Sequence, residues 1–199
     1  MSLRLLGGKA RSFSLVAPSS KTRPTQVQLK RRFFDRYQDW SGETFIDLAA
    51  GTGSMGLEAW SRGAEAVYLV EADRVAAGQI KEACQRARAR FDNLGELHAV
   101  HADLLQWLPG FKTLYQSWSP ERQELTTVFF DPPYELHSLY TDCLKFFFDS
   151  NSQWFRGEFV FESDRQKGPA LEGLKAVYQF QEQLYTQGTS YLCVISCVK

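Results

Sequence analysis

The chain is short of residues that would point to metal, disulfide or membrane chemistry. Its four cysteines, Cys84, Cys143, Cys193 and Cys197, contain no C-x-x-C pair. Three of them fall in runs with the character of buried helix or strand, so reduced core thiols are expected rather than a disulfide or a metal site. The three histidines, His98, His101 and His137, show no ligand spacing, and no metal is expected. No stretch approaches the roughly eighteen apolar residues of a membrane span. The first residues, Met1 to Lys9, lack the apolar run of a secretion signal, so a cytoplasmic protein with no membrane partner is expected. Net charge is absent too, 23 basic residues balancing 23 acidic ones, and no internal repeat or low-complexity segment is visible.

What is present is a chain of 199 residues, 44% hydrophobic, enough for one domain with an ordinary core and a small appendage. The zero net charge hides an imbalance. Residues 1–40 hold nine basic residues against Asp35 and Asp39, an excess of +7, and the remaining residues carry −7. A basic extension (1–40) ahead of an acidic body (41–199) is the division expected. Lys9, Arg11, Arg23, Arg31 and Arg32 are its candidate phosphate contacts, with a solvated charged face as the plainer alternative.

Residues 3–17 alternate apolar and polar around Gly7-Gly8-Lys9-Ala10, as in a small hairpin. Pro18 to Pro24 reads as a loop. From Thr25, placed as N-cap, the apolar residues Leu29, Phe33, Phe34, Tyr37 and Trp40 recur at helical spacing. The body then alternates strand and helix. Strands are predicted at 45–48, 66–71, 96–100, 126–130 and 159–162, and helices at 57–62, about 73–90 (Val75, Ile80, Ala83, Cys84 and Ala87 inward) and about 138–149. Residues 109–124, with Pro109, Gly110 and Pro120, read as a long loop. Two last strands, near 174–184 and 189–198, are expected to form an antiparallel hairpin across Thr186-Gln187-Gly188. Such alternation implies an α/β fold with a mostly parallel sheet and helices on both faces.

The organising stretch is Phe45 to Gly56, a strand running into Gly51, Gly53 and Gly56 and then a helix. Glycines at this spacing let the backbone turn sharply and approach a ligand, with the amides of the new helix facing it. Nicotinamide, flavin and S-adenosylmethionine proteins all use such turns, so the flanks decide. Asp47 would repel a pyrophosphate but can hold a cationic amino group, which favours S-adenosylmethionine. Glu71, ending the next strand, is placed to accept ribose hydroxyls. Asp103 can accept from an adenine amino group with Leu104 against the ring, or cap the helix that follows. Ala49, Thr52 and Ala72 lie in the same turns and complete the candidate cofactor site. If the glycines merely turn the chain, none of these acids has a shared purpose.

Asp131-Pro132-Pro133-Tyr134 follows an apolar strand directly. Two prolines make a stiff turn poor in donors, whose carbonyls and carboxylate can accept from an exocyclic amino group. Holding both hydrogens off axis makes that nitrogen a better nucleophile towards a methyl sulfonium, and Tyr134 is expected to stack on the base. These four residues form the candidate catalytic set.

At these residues the sequence resembles the class I S-adenosylmethionine-dependent methyltransferases that act on amino nitrogens. The further stretches Gly7-Gly8-Lys9-Ala10-Arg11, Arg23-Pro24-Thr25 and Gly56-Leu57-Glu58-Ala59-x-Ser61-Arg62-Gly63-Ala64 resemble more narrowly the RsmD type, bacterial 16S rRNA guanine-N2 methyltransferases. The resemblance implies a doubly wound, seven-stranded Rossmann-like sheet. It implies a cofactor held at Asp47, Gly51, Gly53, Glu71 and Asp103, and a target base held at Asp131 to Tyr134. RNA, as small-subunit rRNA or its ribonucleoprotein particle, is the implied partner of a monomeric enzyme. Val27 and Lys30-Arg31 depart from the family's usual aspartate and Arg/Lys-Glu, and residues 109–124 look longer than usual. A DNA amino-methyltransferase, a protein-glutamine methyltransferase and a non-catalytic RNA-binding protein of the same fold are the rival readings. A nicotinamide dehydrogenase would leave Asp47 and the double proline unexplained.

Overall fold

The computed structural model describes residues 3–16, 24–148, 154–178 and 182–196. Arg23, Cys197 and most of the expected loop 18–24 lie outside the described residues. In chain order the elements are β1 (Leu3–Arg4), β2 (Ser14–Leu15), α1 (Pro24–Arg36), β3 (Thr44–Leu48), α2 (Ser54–Ser61), β4 (Ala66–Glu71), α3 (Arg74–Arg90), β5 (Glu96–His101), α4 (Leu104–Gln116), α5 (Pro120–Glu124), β6 (Thr126–Phe130), α6 (His137–Phe148), β7 (Glu158–Asp164), α7 (Leu171–Tyr178), β8 (Glu182–Gln187) and β9 (Ser190–Ser196).

Seven strands form one sheet in the order β5-β4-β3-β6-β7-β9-β8. The first five are parallel neighbours, and β9 runs antiparallel to both β7 and β8. Alternate residues of the central strands feed two separate cores, as the two-residue period of a strand requires. Phe45, Phe129 and Val160 pack with α1, α2 and α3, while Ile46, Val128, Phe130, Phe159 and Phe161 pack with α4 and α6. The result is the doubly wound sheet expected, helices on both faces. From β3 the chain winds outward through β4 and β5, then returns to the other side of β3 for β6 and β7. The reversal falls between β3 and β6, and ligands of open α/β sheets bind at the carboxyl ends of strands at such a point.

The amino-terminal segment is built into the body. Leu5, Ala10, Phe13, Leu15, Leu29, Phe33, Phe34 and Trp40 share one core with α2 and α3. Glu58, buried on α2, accepts the Leu6 amide at 2.7 Å and pairs with Arg62 at 2.8 Å. Ser61 Oγ donates to the Gly7 carbonyl at 2.6 Å and accepts the Ala10 amide at 2.9 Å. Gly8 is required there: its φ is +71°, and a Cβ would fall 2.0 Å from the Ser61 carbonyl oxygen. The Gly7-Gly8-Lys9-Ala10 motif is thus a docking turn against the end of α2.

Several local expectations are corrected. Residues 109–124 are helical: α4 carries Leu104, Leu108, Phe111 and Tyr115 inward, and Ser119 caps α5 ahead of Pro120. Pro109 and Gly110 hid a regular apolar spacing that tertiary burial enforces in spite of poor propensity. The last hairpin is shorter than expected, and residues 171–178 form α7 rather than the start of a strand. Pro24 opens α1, where proline is favoured, so Thr25 lies inside the helix and is not its cap. Val75 is 69% exposed, and only Ile80, Ala83, Cys84 and Ala87 of the expected stripe are inward. Cys84, Cys143 and Cys193 are buried free thiols. Among the described residues no helix is long and apolar enough to cross a membrane.

Gly56, in the first turn of α2, seats that helix on β4. A Cβ there would lie 2.8 Å from Leu69 and 2.9 Å from Val67. Gly56→Ala is expected to lower the unfolding free energy by about 1–3 kcal/mol, the usual cost of overpacking, seen as a lower urea midpoint. An unchanged midpoint would mean that α2 can lift from the sheet without penalty.

Candidate active site

The turn after β3 places Ala49, Gly51 and Gly53 in the left-handed region, with φ of 60°, 56° and 72°. For Ala49 this costs about 1–2 kcal/mol, a strain the surrounding bonds must hold. Those bonds come from acids. Asp47 accepts the Gly56 amide at 2.9 Å, a helix-start donor for which the N-cap residue Gly53 offers no side chain. Glu71 accepts the Gly51 amide at 2.7 Å and the Asp73 amide at 2.8 Å. Asp103 accepts the Gln106 amide at 3.1 Å and caps α4, with Leu104 buried behind it. Thr52 is half-buried, and Gly51 and Ala72 are exposed on the crevice rim.

Strand register brings these groups together. Leu48 is level with Val70 and Phe130, and Phe130 is level with Phe161. One residue further on, Glu71, Ala49, Asp131 and Glu162 therefore lie in a single row across four neighbouring strands. Asp131 is partly exposed. Asp47, Glu71 and Asp103 are committed to backbone amides, whereas the Asp131 carboxylate makes no hydrogen bond to another described residue. It is the unspent acceptor of the crevice.

The rest of the turn differs from the expectation. Tyr134 is only 7% exposed, and its hydroxyl donates to Glu162 Oε1 at 2.7 Å. It braces the turn from behind, with little of its ring exposed to the crevice. The Pro133 carbonyl accepts the Leu136 amide at 3.0 Å, and the Pro132 carbonyl sits 3.4 Å from the Tyr140 hydroxyl. The prolines fix where Asp131 points, and the carboxylate is the acceptor left over.

Two residues absent from the sequence-derived set belong to this site. Asp47, Asp131 and Glu162 stand two residues beyond Phe45, Phe129 and Val160, so all three side chains face α1. From α1 comes Lys30, half-buried, its Nζ donating to Ser54 Oγ at 3.1 Å. Lys30 opposes the burial that raises all three carboxyls. Burial pushes Asp47 up to about 7 in spite of the Gly56 amide and Lys30. Burial also pushes Glu162 up to about 8, and the nearby Asp131 charge adds to it. An acid ending the apolar run Phe159-Val160-Phe161 was the signal for Glu162. Lys30 stood beside Arg31 and Arg32 and could not be told from them.

The basic candidates are dispersed. Lys9 and Arg11 are exposed beside the docking turn at Ser61, so the length of α2 separates them from the crevice. Arg31 and Arg32 are exposed on α1, and Arg32 donates to the Thr186 carbonyl at 2.8 Å. A cavity of about 520 Å³ lies elsewhere, along the outer edge of β5 between α3 and α4, lined by Tyr68, Lys81, His98 and Trp107 among others.

Because folded Asp47 binds its proton more tightly than the unfolded chain does, the folded state holds an extra proton from about pH 4 up to about pH 7. The stability this proton confers is present below that window and lost as pH rises through it. Thermal melts should therefore show the wild type losing stability relative to Asp47→Asn between about pH 4 and about pH 7. Parallel curves would mean that Asp47 is ionised throughout.

The model of one family, described as conserved hypothetical protein 95, matches residues 3–194. Ribosomal RNA small subunit methyltransferase D of Haemophilus influenzae is 28% identical over 138 residues, 68% of this chain and 65% of that protein. The Escherichia coli protein of that name is 28% identical over 60% of its length, so the chain spans somewhat under two thirds of these relatives. A hypothetical protein of Thermus thermophilus superposes with a TM-score of 0.71 at 28% identity, covering 98% of this chain and 99% of that one. A T. thermophilus 16S rRNA N2 methyltransferase, in complex with AdoMet and guanosine, shares the fold with a TM-score of 0.67 at 17% identity, over 98% of this chain and 49% of that one. With nearly its whole length matched by the family model, the chain belongs to the conserved hypothetical protein 95 family, which is the RsmD-type methyltransferase family.

Proposed function

We propose that the protein is an S-adenosylmethionine-dependent RNA methyltransferase acting on an exocyclic amino group, guanine N2 of small-subunit rRNA, as a cytoplasmic monomer. One observation carries the reading: an uncommitted carboxylate, Asp131, fixed by two prolines at the topological switch point, level with the strained turn at Ala49. The names of the relatives support an rRNA substrate.

The residues present fit S-adenosylmethionine. A Cβ at Gly51 would meet nothing within 4 Å, so the turn is open towards the crevice. Glu71 retains lone pairs for ribose hydroxyls, and Asp103 stands exposed at the end of β5 for an adenine amino group. Asp47 and Lys30 offer one charge of each sign to the amino and carboxylate groups of the methionine part. When bound, the cofactor supplies a methyl group on a cationic sulfur that leaves as a neutral thioether. The work left to the protein is placement, which can supply several kcal/mol of the barrier. Asp131 accepts from the amino group, orients its lone pair, and takes the proton that the nitrogen must lose once it carries the methyl group. A base in a helix must first be unstacked, at a cost of a few kcal/mol that an unpaired or immature RNA lessens. Arg31, exposed on α1, is the basic residue best placed to hold the neighbouring phosphates, whereas Lys9 and Arg11 would meet only RNA long enough to pass the far end of α2.

Glu71→Ala should weaken S-adenosylmethionine and its demethylated product alike by about 1.5–3 kcal/mol in calorimetry. Unchanged affinities would remove Glu71 from the site. Asp131→Ala should leave those affinities within a few-fold and abolish most methyl transfer, because its contact matters in the transition state. Mapping of modified nucleotides in rRNA from cells lacking the gene tests the assignment as a whole. A guanine that loses its N2 methyl group supports it, and an unaltered rRNA overturns it.

A further inference from the structure

The proposed reaction leaves Glu162 without a task, although its position is unusual. It is fully buried in β7, level with Asp131 in the row across the sheet. Its main-chain carbonyl accepts the Tyr140 hydroxyl at 2.8 Å, so the backbone cannot shift to relieve it. Oε1 accepts from Tyr134, and Oε2 is buried with no hydrogen-bond partner.

A carboxylate in that state would combine a desolvated charge, an unsatisfied oxygen and a like charge on the next strand. Each such burden costs several kcal/mol, and two adjacent buried carboxyls do not both ionise readily. A neutral acid leaves only one unmet polar group, a cost of about 1–3 kcal/mol. One of the pair therefore keeps a proton. Asp131 is partly open to solvent and has Lys30 as the main force favouring its charge. Burial is the largest influence on both carboxyls and raises both, but Glu162 is fully buried, Asp131 pushes it the same way, and the Tyr134 bond and a weaker Lys30 are what oppose them.

We propose that Glu162 is held as the neutral acid beside Asp131, so that Asp131 alone carries the charge that receives the target amino group while Glu162 positions the turn through Tyr134. The inference rests on the amino-group reading of Asp131 given above. It supplies what that reading lacks, a reason why the crevice carboxylate stays ionised and free to accept. Were the pair's one proton to sit on Asp131 instead, Glu162 would carry the charge behind the turn and Asp131 would lose the anionic acceptor the amino group needs. Among the described residues the groups facing Glu162 are few: Asp131 and Tyr134 from the turn after β6, Lys30 from α1, and Tyr140 from α6 at its carbonyl. Its neighbour on β9, Leu192, brings no charge.

The test uses the full chain and Glu162→Gln, which keeps the shape, an oxygen for Tyr134, and neutrality. In protein labelled at glutamate side-chain carboxyls, carbon NMR without substrate should show one glutamate titrating near the value of about 8 expected for Glu162, absent in Glu162→Gln. In single-turnover methylation of RNA, Glu162→Gln should retain the wild-type rate at neutral pH within about threefold. The wild-type rate should fall above about pH 8, where a second carboxylate forms beside Asp131 and their repulsion disturbs the turn that Tyr134 braces, and that fall should vanish in the variant. Glu162→Ala, which releases Tyr134, should lose at least about tenfold in rate with cofactor affinity unchanged. A Glu162→Gln enzyme as inactive as Asp131→Ala would overturn the proposal, since the anion would then be what matters. So would a spectrum in which all glutamates titrate below about pH 5. A wild type that methylates no RNA would instead sink the amino-group reading and the positioning role with it, while the NMR titration still decides where the proton sits.

Discussion

Three carboxyl groups, on Asp47, Asp131 and Glu162, occupy one face of three adjacent parallel strands beneath a helix that offers them a single lysine. Burying three acids so close together is costly, and the surroundings make sense as ways of containing it. Asp47 is tied to the start of α2, Glu162 to Tyr134, and Lys30 to Ser54. Of the three, Asp131 is the one whose carboxylate makes no hydrogen bond to another described residue. A crevice prepared in this way suits a cation and an amino group, the two features that the proposed methyl sulfonium and guanine edge would bring to it.

The geometry depends on the reversal of strand order between β3 and β6. Because the side chains of a strand alternate, residues level with one another on parallel neighbours share a face. The register from β4 to β7 therefore delivers Glu71, Ala49, Asp131 and Glu162 as one line, with no loop required to aim them. Asp131-Pro132-Pro133-Tyr134 then works as a unit with β7. The prolines stop the strand and direct the carboxylate, and the tyrosine folds back as a strut to Glu162.

The amino-terminal segment has two roles that composition conflated. Its aromatic residues Phe33, Phe34 and Trp40 close the core over β3, and its glycine turn locks onto Ser61. Of its basic residues, Lys30 turns inward to the acids while Arg31 stays outside. A run of cations thus divides between counter-charge and surface, a distinction of one residue's rotation around α1.

The sequence by itself determined the architecture: the apolar runs at Phe45, Phe129 and Phe159, the glycine turn and the double proline all act over a few neighbouring positions, where local sterics decide. It also determined which acids end the strands, since Asp47, Glu71 and Asp131 are adjacent to their own turns. It misled at Pro109 and Gly110, where low helix propensity is overridden by the burial of Leu108, Phe111 and Tyr115 against residues far away in the chain. Only the tertiary structure decided that Tyr134 faces inward, that Glu162 belongs with Asp131, and that Lys30 serves both. Those relations join residues 28 to 132 positions apart, and they follow from strand register and the packing of α1, which no local pattern encodes.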